Sequence, residues 1–190
     1  MKWQITTGPL LEPVTALEAK KQLRVEHNDE DDLIQHLISV ARRKVEQETG
    51  RLLLSQTVNV RWDTWPSCGY LALPIYPASS VTHVKYLDEA GTLQTWASSN
   101  YSTDLYGMEA RIVKNPDVDI PDIGDYPNSV QVEYVAGTSA LADVPAELKH
   151  AILVELTLLY ERREDMPLSA NNPGVRTGSW LQFGSRKNLI

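Results

Sequence analysis

The sequence predicts an α+β fold in which a small helical bundle of three main helices carries an inserted antiparallel β-subdomain. Apolar residues recur every three to four positions in residues 14–49 and 145–164, which is the spacing of helices. Residues 55–136 instead form short runs with alternating polarity, bounded by proline and glycine, as strands do. A chain of 190 residues that is 42% hydrophobic is long enough to bury a core.

The longest predicted helix, residues 29–49, organises the helical part. Asn28 or Asp29 is expected to cap its first turn. Its polar residues, Arg42 and Glu46 among them, fall on the side expected to meet solvent or a partner. Burial of each large apolar residue stabilises the fold by roughly 1.5–3 kcal/mol, so packing determines this helix. The predicted core face consists of Leu33, Ile34, Leu37, Ile38, Ala41 and Val45.

The first predicted helix, residues 14–23, begins with a recognisable cap. Thr15 and Glu18 have the Thr-x-x-Glu spacing of a capping box, in which each side chain accepts a hydrogen bond from the other residue's backbone. Leu17 and Leu23 are its expected apolar contacts. The short connection to the next helix predicts that the two helices are neighbours.

The third predicted helix, residues 145–164, opens at Pro145, a residue that the first helical position accepts. It is apolar over most of its circumference and must therefore be covered on two sides. One cover is the first helical pair; the second is the β region or another copy of the protein. The first side consists of Ile152, Leu156, Leu159 and Tyr160, and the second side of Ala151, Val154 and Leu158.

The remaining segments are expected to form an arm, a turn, a loop and a tail. Residues 1–13 contain two prolines and a glycine and are expected to form an extended arm. A hairpin turn is expected at residues 88–91, and residues 115–128 are expected to form an exposed loop. We predict one domain over residues 1–165, followed by a flexible basic C-terminal tail over residues 166–190.

Charge is unevenly distributed along the chain. The net charge is −7, and the tail carries +3 from Arg176, Arg186 and Lys187 without any acid, which leaves −10 for residues 1–165. An acidic body argues against a nucleic-acid grip, because phosphate binding needs clustered lysine and arginine. The single cysteine, Cys68, excludes an intrachain disulfide. We expect a protein of the reducing cytoplasm, without an export signal or a membrane span.

A search for chemistry finds no convergent set of residues. The four histidines, His27, His36, His83 and His150, lie on separate elements and form no metal-ligand spacing. No nucleophile elbow and no phosphate-binding glycine loop is present. We therefore predict no catalytic, cofactor-binding or metal-binding residues, which leaves a binding or assembly role.

Two other functions stay open at this point. The first is a nucleic-acid-binding module of a packaging or regulatory complex, which would use Arg42, Arg43, Lys44 and the basic tail. The second is a small hydrolase whose site is not recognisable. Salt-sensitive DNA affinity would favour the former, and substrate-dependent turnover lost with one carboxylate would favour the latter.

The order and spacing of several short motifs resemble the head–tail connector, or head-completion adaptor, family of tailed phages. The resemblance covers roughly residues 9–165. Each motif is common by itself, and their order is the specific feature. They are Pro13-Val14-Thr15-x-x-Glu18-Ala19-Lys20-x-x-Leu23-Arg24-Val25, Asp29 to Leu33-Ile34, Val45-Glu46-x-x-Thr49-Gly50-Arg51-Leu52, Leu73-Pro74, Ser80 to Asp88, Val132 to Gly137, Val144-Pro145 and Tyr160-Glu161-x-Arg163-Glu164.

The resemblance implies a structural phage or prophage protein rather than an enzyme. Such proteins form a homo-oligomeric, dodecameric ring under the portal protein, extend the DNA channel and give a stopper or tail-completion protein its docking surface. DNA passes without specific binding, and no membrane is involved. The implied location is the head–tail junction of the virion, after assembly in the bacterial cytoplasm. The expected subunit interface includes Val154, Leu158, Arg42, Arg43, Trp180 and Phe183.

Overall fold

A computed structural model describes residues 1–162, which fold as two compact units. The β unit consists of residues 1–10 and 54–139, and the helical unit begins with residues 11–53 and resumes at residue 140. The chain is thus α+β, with the antiparallel β region inserted between the second and third helices, as predicted. In the part that the structure describes, no helix is both long enough and apolar enough to cross a bilayer.

Three α-helices build the helical unit, namely α1 (Ala16–Leu23), α2 (Asp31–Thr49) and α3 (Ala146–Glu161). The predicted capping box opens α1, because the Glu18 N–H donates to the Thr15 hydroxyl at 3.2 Å and the Thr15 N–H donates to the Glu18 carboxylate at 2.8 Å. The Thr15 hydroxyl also donates to the Glu18 carboxylate, at 2.7 Å, and the two hydrogen bonds that this carboxylate accepts, that from the Thr15 backbone foremost, lower the pKa of Glu18. All three helices contact one another, as predicted.

The predicted cap of α2 is wrong. The helix begins after Glu30, which makes no side-chain capping bond. The Asn28 side chain accepts a hydrogen bond from the Lys20 ammonium at 2.7 Å instead, and the same ammonium pairs with Asp31 at 2.7 Å. A lysine of α1 therefore fixes the start of α2, a contact that local sequence rules do not anticipate.

The core faces of the helices follow the predicted spacing with two exceptions. Leu33, at the start of α2, is 36% exposed, and Leu17 of α1 is 64% exposed, whereas Ala19 is the buried residue of α1. Both leucines lie near the beginning of their helices. The buried apolar residues of α2 and α3 agree with prediction and are Ile34, Ile38, Ala41, Val45, Ala151, Ile152 and Leu156.

Two antiparallel sheets build the β unit. The larger sheet has the order β1-β2-β8-β4-β5 and the smaller the order β3-β7-β6. Residues 1–13 do not form a free arm, because β1 pairs with β2 and forms one edge of the larger sheet. The strands are β1 (Lys2–Thr7), β2 (Gln56–Trp62), β3 (Tyr70–Ala72), β4 (Ala78–Leu87), β5 (Leu93–Trp96), β6 (Tyr101–Asp104), β7 (Arg111–Lys114) and β8 (Val130–Ala136).

Strand β8 lies at the centre of the larger sheet, between β2 and β4. Its alternate residues Val130, Val132 and Tyr134 are fully buried, and the register aligns Tyr134 with Val58 of β2. The smaller sheet meets this apolar face through ring contacts. Trp96 of β5 lies 5.3 Å from the ring of Tyr101, whose burial raises the pKa of its phenol.

The Tyr134 hydroxyl forms two hydrogen bonds with the backbone of Ile75, in the buried segment that precedes β4. It donates to the Ile75 carbonyl and accepts from the Ile75 N–H, both at 3.1 Å. Burial raises the pKa of Tyr134 to about 12 from its ordinary value of 10. Because the folded pKa is raised, the neutral phenol contributes its stability below pH 10, and this contribution is lost as the pH rises through 12.

Tyr134→Phe tests whether these two hydrogen bonds stabilise the fold. The substitution leaves the buried Ile75 N–H and carbonyl without their partner, so we expect a loss of about 1–3 kcal/mol in the free energy of unfolding, measured by urea denaturation. Tyr106→Phe is the matched control, because Tyr106 is 94% exposed. An equal effect of the two substitutions would contradict a structural role for the Tyr134 hydroxyl.

Candidate subunit-interface surface

Arg42 lies inside the helical unit, with only 4% of its surface exposed. Its Nε donates to the Glu12 carboxylate at 2.8 Å, and its Nη1 donates to the Glu46 carboxylate at 2.6 Å, one helical turn away. The second oxygen of Glu46 accepts the Leu53 N–H at 3.0 Å. This buried network joins the segment before α1, the helix α2 and the segment after α2.

The prediction that Arg42 and Glu46 face solvent or a partner is therefore wrong. Both are buried, because Glu12 approaches α2 from thirty residues earlier in the chain and supplies the neutralising charge. The spacing of Arg42 and Glu46 at i and i+4 was visible in the sequence and is typical of a helical ion pair. Only the long-range partner Glu12 could not be identified from local pattern.

The basic cluster that motivated a nucleic-acid interface is divided by the fold. Arg42 is buried, and the Lys44 ammonium pairs with the Glu155 carboxylate at 2.6 Å. Arg43 is exposed. Because phosphate binding draws on several accessible cations at once, the cluster does not favour a DNA site.

Helix α3 has one side whose residues are fully buried and one side whose residues are partly exposed. Ile152 and Leu156 are fully buried, and the helix is further held by the Lys44–Glu155 ion pair and by the Tyr160 hydroxyl, which donates to the Glu30 carboxylate. Val154 and Leu158, one turn apart, are half-buried. His150, one turn before Val154, is exposed. We call His150, Val154 and Leu158 the α3 stripe.

The other two predicted interface residues, Trp180 and Phe183, lie outside the described residues, as does the tail of residues 166–190. The predicted interface residues that can be placed in the structure are thus Val154, Leu158, Arg42 and Arg43. Of the predicted residues, the structure brings Val154 and Leu158 onto one helix face, and it places Arg42 in the interior.

The described residues contain no group of three or more histidine, cysteine or carboxylate side chains that could hold a metal ion. The β unit has two open grooves of about 340 and 200 Å³. The larger is lined in part by Cys68, and no histidine or lysine lines it.

Arg42→Ala tests the buried network. Removal of the guanidinium leaves the Glu12 and Glu46 carboxylates close together without their counter-charge, so we expect the free energy of unfolding to fall by about 3–5 kcal/mol in urea denaturation. Arg43→Ala, at the neighbouring exposed position, should change it by less than about 0.5 kcal/mol. A small effect of Arg42→Ala would show that the network does not stabilise the helical unit.

The family described as "Phage gp6-like head-tail connector protein" matches residues 15–72, which begin at the capping box and end in β3. No curated protein matches the sequence significantly.

Solved structures similar to this chain come from gene transfer agent (GTA) particles. A chain of the "Virion of native gene transfer agent (GTA) particle" is 20% identical, with a TM-score of 0.74, and 90% of each chain is covered. A chain of the "Neck of empty GTA particle computed with C6 symmetry" is 22% identical, with a TM-score of 0.73 and coverage of 91% of this chain and 90% of that chain.

A chain of the "Neck of native GTA particle computed with C12 symmetry" is 19% identical, with a TM-score of 0.66, and it covers 90% of this chain and 89% of its own length. At these identities the likeness establishes a shared fold. The predicted resemblance to the phage head–tail connector family is therefore confirmed, by the family match over residues 15–72 and by a fold shared with chains of GTA particle necks.

Proposed function

We propose that this protein is a head–tail connector of a phage or prophage particle, a structural subunit that forms a ring under the portal protein. The observation that carries the proposal is the combination of the connector-family match with a fold shared over about 90% of the chain with particle-neck chains. The ring would extend the DNA channel and provide the docking surface for a stopper or tail-completion protein.

A ring needs a heterologous interface, in which two different patches of each subunit meet. The α3 stripe supports this requirement, because Val154 and Leu158 are apolar and only half-buried in the single chain. Monomeric proteins seldom leave such a stripe open to water. We include Arg43 as an exposed cation, and Trp180 and Phe183 of the tail, in the proposed contacts.

The charge of the chain supports a channel through which DNA passes without binding tightly. Residues 1–165 carry −10, so a phosphate backbone is repelled and can pass without sticking. A role without catalysis fits the family match, since that family is named for a structural part of the virion. We place the working location at the head–tail junction of the virion, after assembly in the host cytoplasm.

The ring is tested by measuring the mass of the purified protein, free and mixed with the portal protein encoded by the same phage genome. We expect one discrete cyclic assembly on the portal, of dodecameric mass, in sedimentation velocity and native mass spectrometry. A protein that stays monomeric both alone and with portal would contradict the proposal. Tight, salt-sensitive binding of duplex DNA by the free protein would instead favour the nucleic-acid module.

The interface role of α3 is tested by two glutamate substitutions. Leu158→Glu should leave the free energy of unfolding of the subunit within about 1 kcal/mol, but block assembly, because the new carboxylate would have to lose its water at the contact. Leu156→Glu should unfold the subunit, because Leu156 is fully buried. Thermal melts and sedimentation distinguish the two positions. Equal loss of subunit stability would assign Leu158 to the core instead.

A further inference from the structure

The larger sheet of the β unit ends in two strands that have no second neighbour among the described residues, β1 and β5. Such edges pair readily with other chains unless charges, prolines or short strands block them. Strand β1 contains one lysine and no proline, and β5, with the sequence LQTW, contains neither. Neither edge therefore carries a proline, and the four residues of β5 set the length over which a neighbouring strand could pair there.

The β1 edge also leaves apolar side chains uncovered. Trp3 is 49% exposed and Ile5 is 41% exposed. The register aligns them with Val60 and Val58, so they continue the buried face of the sheet beyond its last fully covered strand. The grooves of about 340 and 200 Å³ lie beside Met1 and Trp3, and thus flank the start of this strand. An added strand would cover these side chains.

The directions of the two edges suit a ring. Each strand of the larger sheet is antiparallel to its neighbour, so β1 and β5, four steps apart, run in the same direction. Rotation about a ring axis that lies along the strands preserves this direction. The β1 of one copy can therefore meet the β5 of the next copy as a parallel pair.

The side-chain alternation of the two edges excludes every register in which the sheet's two faces would be exchanged. A continuous sheet must keep its apolar face on one side, and a slip of one residue would reverse it. Alignment of Lys2 with Leu93 satisfies this rule, because Trp3 and Ile5 then lie beside Gln94 and Trp96. These last two belong to the same face, since they pair with Tyr86 and Val84 of β4.

Charge favours the same register. Lys2 and its register partner Arg61 form a basic corner at the start of β1, while β5 starts just after the turn that contains Asp88 and Glu89. The Asp88 carboxylate accepts hydrogen bonds from Ala90, Thr92 and Gln94 within its own hairpin. Glu89 is exposed and forms no ion pair among residues 1–162, so it can receive Lys2 of a neighbour.

We propose that neighbouring copies join through parallel pairing of β1 on one copy with β5 on the next, so that the larger sheet continues around the ring. This inference rests on the ring proposed above and adds the residues that connect its subunits. An antiparallel β1–β1 pair is the competing arrangement, and it would give a closed dimer rather than a ring.

Disulfide cross-linking tests the pairing in the full chain, with Cys68→Ser to remove the native thiol. Gln4→Cys and Thr95→Cys would face each other across the proposed contact. Within one chain they lie about 19 Å apart, at a strand spacing of about 4.8 Å, which is too far to bridge. With portal protein present, we expect oxidation to give a ladder of multimers. Gln4→Cys with Thr82→Cys, an exposed position on β4, is the control and should give none.

A charge exchange provides a second measurement. Lys2→Glu or Glu89→Lys should each lower the association constant about threefold or more, and the two together should restore it. Lys21→Glu, at an exposed position of α1, should have no effect. Restoration by the double exchange distinguishes a contact from general loss of charge.

The outcomes separate this inference from the proposed function. Assembly of the unmodified protein without a Gln4–Thr95 cross-link would overturn the strand pairing and leave the connector ring intact. Dimers from Gln4→Cys by itself would assign β1 to an antiparallel pair, and a cross-link from Gln4→Cys to the portal would assign it to a partner strand; both overturn the inference. An unmodified protein that never assembles would overturn both proposals.

Discussion

The burial of Arg42 constrains how the segments of the helical unit pack together. A buried guanidinium is tolerated only where carboxylates neutralise it, and here Glu12 and Glu46 do so at 2.8 and 2.6 Å. Glu46 in turn accepts the Leu53 N–H, so the network fixes the segments that enter and leave the α1–α2 pair. Because Arg42 is buried, its charge cannot contact a DNA phosphate, which weakens the case for DNA binding by this helix.

Local patterns predicted the elements whose stabilising contacts are local. The capping box of Thr15 and Glu18, the apolar face of α2 and the turn at Gly91, where φ is +76°, all depend on residues a few positions apart. Strand β1 was missed because its partner β2 lies more than fifty residues away and its six residues are all exposed. The alternation of Trp3 and Ile5 with polar residues was a local sign of a strand, but it could not identify the distant partner β2.

The candidate site was predicted in part for the same reason. The excess of apolar residues around α3 identified Val154 and Leu158 from periodicity alone, and both are half-buried in the structure. Arg42 could not be placed correctly, because its burial depends on Glu12 from another segment. The open edges of the larger sheet required the strand order, which depends on pairings between distant segments. The two proposed assembly surfaces thus lie one in each unit, on α3 and at the sheet edges.

The central proposal is that this chain forms a ring at the neck of a phage particle. Cryo-electron microscopy of the protein bound to its portal tests this claim most directly. We predict a closed ring of copies on the portal, coaxial with the DNA channel, with adjacent subunits in identical contact around the circle. Density for isolated copies scattered on the particle, or a portal without any bound ring, would contradict the account.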